Sequence, residues 1–202
     1  MIKIGITGGI GSGKSFVAKQ MEEKGIPVYY TDDMAKQLMV ESSVIHEKLT
    51  DLLGEDAYSP DGQPNKRKLI DYLFANKENA LRINSIVHPV VKSDFQQWVE
   101  RHKSTEIVAM ECAILYEAGF DDVVDRVAMV YAPLEIRIER AMKRDGATRQ
   151  QVTNRINAQM PDEEKCKRAD YTIYNDGIRP IPAQIDTMLE QVKSGKPWGK
   201  FV

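Results

Sequence analysis

Hydrophobic and polar positions alternate in two different rhythms along this chain. Ile2-Lys3-Ile4-Gly5-Ile6 is a short apolar, β-branched run and predicts a strand. Lys14 to Lys24 follows a helical period, with Val17 and Met21 one turn apart and Gly25 placed to end it. Ile26-Pro27-Val28-Tyr29-Tyr30 predicts a second strand, with Pro27 at its tolerant start. Thr31-Asp32-Asp33 opens a helix with Met34, Leu38 and Met39 on its apolar face, and Thr31 or Asp32 is placed to cap it. From Val44 to Lys103 the pattern is almost wholly helical. Ile45, Leu49, Leu52 and Leu53 predict one amphipathic helix ending at Gly54, and Ser59-Pro60-Asp61-Gly62 a turn. Leu69, Ile70, Leu73 and Phe74 form the apolar face of the next helix. Leu81, Ile83, Ile86 and Val87 begin another, which Pro89 should bend or break, and Phe95, Trp98 and Val99 continue the spacing.

Strand character returns at Glu106 to Cys112, at Arg126 to Tyr131 and at Asp170 to Asn175. Between and after these lie helical stretches: Pro133 to Arg144 ending at Gly146, Thr148 to about Gln159, Pro161 to Arg168, and Ile181 to Lys193. Trp98 belongs with the core and Trp198 reads as a tail contact. Five strands alternating with helices predict a three-layer α/β fold with a parallel sheet. The helical stretch between the second and third strands exceeds an ordinary βαβ crossover. It is expected to form an inserted subdomain, 31–103, standing over the sheet's ligand edge. The core is then 1–30, 104–136 and 169–202, with 137–168 as a lid. Ligands should bind beyond the carboxyl ends of the strands, where Lys14, Asp32, Glu111 and Asn175 fall.

Composition narrows the partners. Charged residues are 29% of 202 and the net charge is −2, so no general attraction to nucleic acid or an anionic membrane is implied. No apolar run approaches the ~20 residues that span a bilayer. The amino terminus reads as a strand leading into a functional loop, not a signal peptide, and a cytoplasmic location follows as the default. Cys112 and Cys166 have no metal-ligand spacing and are too few for a disulfide scaffold.

Thr7-Gly8-Gly9-Ile10-Gly11-Ser12-Gly13-Lys14-Ser15 has the Gly-x4-Gly-Lys-Ser form of a phosphate-binding loop, set between a predicted strand and a predicted helix. Glycines let successive N–H groups approach an anion, and the first turn of the helix adds more. Lys14 can reach the β- and γ-phosphates and the Ser15 hydroxyl a magnesium ion. The competing reading is a glycine-rich turn that matches by chance. Asp32 is the candidate catalytic carboxylate, able to accept or orient a hydroxyl proton; the same residue also suits a helix N-cap, and Asp33 can trade roles with it. Glu111 is a candidate metal ligand, or a solvated acid at a strand end. Arg137, Arg140 and Arg144 lie three and four apart on one helix face, with Arg149 and Arg155 in the next helix. They form either a lid whose like charges are uncompensated until phosphate arrives, or a solvated basic face paired with Glu135 and Glu139. Asn175 with Asp176-Gly177 marks the adenine position or a plain turn. His88-Pro89 contacts substrate or punctuates a helix. His46 and His102 read as surface residues.

Taken in order, these pieces resemble the dephospho-coenzyme A kinase family over nearly the whole chain. The resemblance rests on the phosphate loop, Asp32 with Ala35-Lys36-Gln37, Asp61-Gly62 with Leu69 and Phe74, Ile86-Val87-His88-Pro89, and Leu115-Tyr116-Glu117. It continues through Arg140 with Arg144-Asp145, Arg155-Ile156 with Gln159, and Ala169-Asp170-Tyr171 with Asn175 and Gly177. It implies a P-loop kinase fold and transfer of the γ-phosphoryl group of ATP to the ribose 3′-hydroxyl of dephospho-coenzyme A, with magnesium. It further implies Asp32, Lys14 and Arg140 as catalytic, and Gly9, Gly11, Ser12, Gly13, Lys14, Ser15, Phe16, Arg144 and Asn175 on ATP. Asp32, Lys36, Lys66, His88 and Glu117 fall to the acceptor, and Ser15 and Glu111 to the metal. The chain departs from the family pattern at Tyr30, at Lys36 (which lacks the two-pronged fork of arginine), at Asn65-Lys66, and at Glu111-Cys112-Ala113-Ile114-Leu115. Two other readings stand beside it: a kinase of another small hydroxyl acceptor, such as a nucleoside monophosphate, and a nucleotide-binding switch module. A GTP switch is disfavoured, because Asp51-Leu52-Leu53-Gly54 falls on a helix end and Asn76-Lys77-Glu78-Asn79 lacks the final Asp of a guanine motif.

Overall fold

The apolar run at the amino terminus becomes β1 (Ile2–Thr7), the middle strand of a parallel sheet in the computed structural model, which describes residues 1–194. With β2 (Val28–Tyr30), β3 (Ile107–Glu111), β4 (Arg126–Tyr131) and β5 (Tyr171–Tyr174), the order is β2-β3-β1-β4-β5. A strand covered on both faces has no reason to alternate, and β3 is buried at every position. Ile2 pairs with Ile107 and Ile6 with Glu111, so the loop leaving β1 and the acid ending β3 emerge at one edge. On its other side β1 pairs Ile4 with Arg126 and Thr7 with Met129. Gly5 makes room on β1 for buried Leu115: a Cβ there would stand 2.5 Å from the leucine Cδ1. α1 (Lys14–Glu23) buries Val17, Ala18 and Met21. It ends as predicted at Gly25, whose φ is +81°; Gly25 N–H returns to the Glu22 carbonyl and Ile26 N–H to that of Met21.

The chain forms two units: residues 1–29 with those from Arg101 onward, and Tyr30–Glu100. The second unit is built of helices. Its first, α2 (Thr31–Glu41), corrects one expectation: Tyr30 holds the N-cap position and makes no side-chain capping bond, while Thr31 and Asp32 are already inside the helix. β2 runs directly into α2, which leaves no polar residue between them for that role. α3 (Ser43–Leu53) is capped by Ser42, which accepts the Ile45 N–H at 3.3 Å, and buries Ile45, Leu49 and Leu53. α4 (Lys66–Ala75) is capped by Asn65. Its predicted apolar face is only partly covered: Leu69 and Leu73 are half-buried, while Ile70 and Phe74 are 52% and 78% exposed. α5 (Lys77–Arg101) runs unbroken through Pro89, so the proline does not break it. Proline inside a helix costs about 3 kcal/mol. Ile83, Val87, Val91 and Phe95, four residues apart and buried on both sides of Pro89, offset that cost.

The remaining helices return to the first unit. α6 (Leu134–Asp145) ends at left-handed Gly146, and α7 (Arg149–Asn157) begins at a reciprocal Thr148–Gln151 capping box. α8 (Asp162–Arg168) is short, and α9 (Ile181–Ser194) buries Ile181, Ile185, Met188 and Val192 along one face. Ile138, Ala141 and Val152 join α6 to α7, and Ile10 of the phosphate loop packs on that cluster. Trp198 lies outside the described residues.

Candidate active site

The loop between β1 and α1 is held open from within. Ser12 N–H closes on the Gly9 carbonyl at 3.1 Å, and Gly13 turns into the helix at φ +94°. Gly11 has φ +77°, and a Cβ there would stand 2.2 Å from the Arg137 carbonyl oxygen, so backbone conformation and space both require glycine. The first N–H groups of α1 have no intrahelical acceptor and point their partial charge at the loop. Thr7 Oγ1 and Ser12 Oγ are buried with no hydrogen-bond partner among the described residues. These unsatisfied groups fit an anion that brings its own acceptors.

Three side chains from later elements brace this loop. Arg137 of α6 is 4% exposed, donates Nε–H to the Ile10 carbonyl at 2.9 Å, and pairs with buried Asp162. Burial lowers its pKa from the ordinary arginine value. Gln159 accepts the Ile10 N–H at 3.1 Å. Asn175, just past β5, donates Nδ2–H to the Ser12 carbonyl at 2.8 Å, and Arg140 donates to the Asn175 carbonyl and Oδ1 at 3.2 and 3.3 Å.

The basic face of α6 and α7 is therefore not uncompensated. Arg144 forks onto Asp145, Arg155 reaches the same carboxylate at 3.1 Å, and Arg149 pairs with Glu135 at 2.7 Å. The Asp145 carboxyl is held below its usual range, first by the hydrogen bond from Arg144. Asp145, the last residue of α6, and Glu135, in its first turn, supply these partners, which spacing of the arginines alone does not reveal.

At the loop's mouth, Lys14 Nζ lies 3.7 Å from Glu111 Oε1, with both side chains about nine-tenths buried. Ser15 and Phe16 are exposed on the first turn of α1, Phe16 at 53%. Among the described residues no three His, Cys, Asp or Glu side chains stand together as a metal cage. A hydroxyl and one carboxylate are nonetheless what magnesium takes when phosphates and water complete its shell. Farther along, Glu117 Oε1 accepts the Met160 N–H at 2.9 Å and pairs with Lys165 at 2.8 Å.

The other predicted residues lie in the second unit. Asp32 and Asp33 occupy the first turn of α2 and are exposed. Lys36 pairs with Asp33 at 3.0 Å, Lys66 is exposed at the start of α4, and His88 is half-buried on α5. Burial and then Lys92 lower the His88 pKa. Sequence reasoning missed Asp162 and Lys165, both buried, because Asp162-Glu163-Glu164-Lys165 reads as an ordinary solvated charge run.

A glycine loop of phosphate-binding form, with a lysine, an acid and arginines at its rim and a parallel sheet beneath it, is that of a P-loop phosphotransferase. A family model described as dephospho-CoA kinase matches residues 2–180, and the chain belongs to that family. A dephospho-CoA kinase of Bacteroides fragilis (strain YCH46) is 50% identical over 184 residues, covering 91% of this chain and 89% of that one. A crystal structure of a Thermus thermophilus protein superposes with a TM-score of 0.78 at 33% identity, over 96% of this chain and 97% of that chain. A Campylobacter jejuni dephospho-CoA kinase shares the fold with a TM-score of 0.69 at 21% identity, over 96% and 98%. The chain phosphorylates dephospho-coenzyme A with ATP, the last step in making coenzyme A. Among the described residues no helix is long and apolar enough to cross a membrane.

Proposed function

We propose that the ATP phosphates lie in the loop from Gly9 to Phe16, and that the acceptor's ribose is served by the helical unit with residues 137–168 closing as a lid. Above all, the buried Lys14–Glu111 pair at the loop's mouth supports this arrangement. When phosphates enter, Lys14 exchanges its carboxylate partner for the β- and γ-oxygens. Glu111 and Ser15 Oγ are then the hard oxygen donors for magnesium. When bound, magnesium would supply positive charge against that developing on the phosphates. Asp32 accepts or orients the proton of the 3′-hydroxyl, which attacks the γ-phosphorus as ADP departs. Arg140, steadied by Asn175, and Arg144 stabilise the charge spread over the transferred group. Asn175 lies on the adenine side, in keeping with ATP over GTP. Lys36, Lys66, His88 and Glu117 contact the acceptor. A cytoplasmic location goes with this reading.

Magnesium titration at fixed ATP tests the metal assignment. Glu111→Gln keeps the side chain's size and removes its charge, so the half-maximal magnesium concentration should rise severalfold. An unaltered magnesium dependence would remove Glu111 from the metal site. Turnover on a panel of acceptors should be best with dephospho-coenzyme A and poor with nucleoside monophosphates.

A further inference from the structure

Lys165 has no part in the chemistry above, yet it is fully buried, an expensive place for an ammonium group unless its partners are well placed. Its Nζ donates to the Ala113 carbonyl at 2.9 Å and pairs with Glu117 Oε1 at 2.8 Å. The same Oε1 accepts the Met160 N–H, while Oε2 has no partner among the described residues. Ala113 stands two residues beyond Glu111, and Met160 follows Gln159, whose Oε1 holds the Ile10 N–H. Contacts therefore close a ring: phosphate loop, 159–160 turn, Glu117, Lys165, Ala113, Glu111, Lys14 and the loop again.

We propose that Lys165 is a positioning residue for phosphoryl transfer, holding one oxygen of Glu117 so that the other is presented to a hydrogen-bond donor of the acceptor. This rests on Glu117 as an acceptor contact and says how that contact is made. A carboxylate oxygen receives a hydroxyl or amino group and repels phosphate, so the acceptor's ribose or base is its target, not its phosphates. Two donors on Oε1 fix the rotamer. Without the ammonium only Met160 N–H remains, and the side chain, already 23% exposed, can swing into solvent.

The test compares Lys165→Met, Lys165→Arg, Glu117→Gln and the Lys165→Met/Glu117→Gln double variant, in steady-state kinetics below their melting temperatures. Lys165→Met should lower kcat/KM for dephospho-coenzyme A by about tenfold or more, with the KM for ATP within about twofold of wild type. Lys165→Arg should restore most of the loss, and the double variant should be no worse than Glu117→Gln alone, because both act through one group. Normal acceptor kinetics in Lys165→Met, an equal loss on ATP, or fully additive losses would each overturn the proposal. Glu117→Gln with normal acceptor kinetics would instead overturn Glu117 itself as a contact. Should Lys165→Met not fold, Lys165→Arg and Glu117→Gln carry the test: the first should retain, and the second lose, acceptor kcat/KM. A result in the opposite sense overturns it.

Discussion

Asp32 carries its charge in the first turn of α2 without capping the helix, so among the described residues its evident structural contribution is to the helix dipole. That is worth about 0.3–1 kcal/mol at an exposed site. If it receives or orients the acceptor proton, Asp32→Asn should lower kcat by about 10²–10⁴-fold while the melting temperature barely moves. ATP binding should survive, since the phosphate loop is untouched. Asp33→Asn is the internal control: it loses only an exposed pairing with Lys36 and should keep nearly full turnover. A fully active Asp32→Asn enzyme, or a larger loss at Asp33, would show the carboxylate to be misplaced. Spacing alone left the catalytic and capping readings of Asp32 level, because a residue just past a strand suits both. The backbone removes the capping reading, since β2 passes into α2 and Tyr30 holds the cap position.

Between elements, the ion pair of Arg137 on α6 with Asp162 on α8 is the clearest single dependency. Arg137→Met leaves Asp162 buried and unpaired, which typically costs about 3–5 kcal/mol. Arg137→Met/Asp162→Leu removes both charges and should recover most of that loss in denaturant midpoint, while the KM for ATP stays raised because Ile10 has lost its donor. A double variant as unstable as the single would mean that the pair is not the source of the effect. On α5, the half-buried His88 has its pKa lowered below the ordinary 6.5. The unfolded chain therefore binds a proton before the folded one does. Its contribution to stability is complete above about pH 6.5 and is lost as pH falls toward the folded value. His88→Gln should flatten the decline of the urea midpoint over that acidic window, and an unchanged slope would count against it. Helix ends such as Gly25, Gly54 and Gly146 were legible because left-handed backbone needs glycine. The unbroken course of α5 and the half-covered face of α4 were not, because tertiary cover decides both.

At the scale of the molecule, α6 to α8 are already fastened to the phosphate loop through Arg137 and Gln159. Amide exchange should therefore slow on ATP binding mainly in 144–157, around exposed Arg144, Arg149 and Arg155, and little in α8 with its buried Lys165. Uniform slowing across 137–168, or none at saturating ATP, would contradict this. The strand–loop–helix motif and the strand count could be read from short-range pattern, whereas strand order and the Lys165–Glu117 contact arise from pairings far apart in the chain. The interruption of the first unit by the second has a consequence for how the protein is made. β1 leaves the ribosome first, but its neighbours are β3 and β4, so Ile2 must wait for Ile107 and Ile4 for Arg126. The helical unit between them is contiguous and local in its contacts, and can settle while β1 is still unpaired. Throughout that interval the nascent chain carries an apolar strand with two open edges, and the sheet around the nucleotide loop closes only after β3 and β4 have been made.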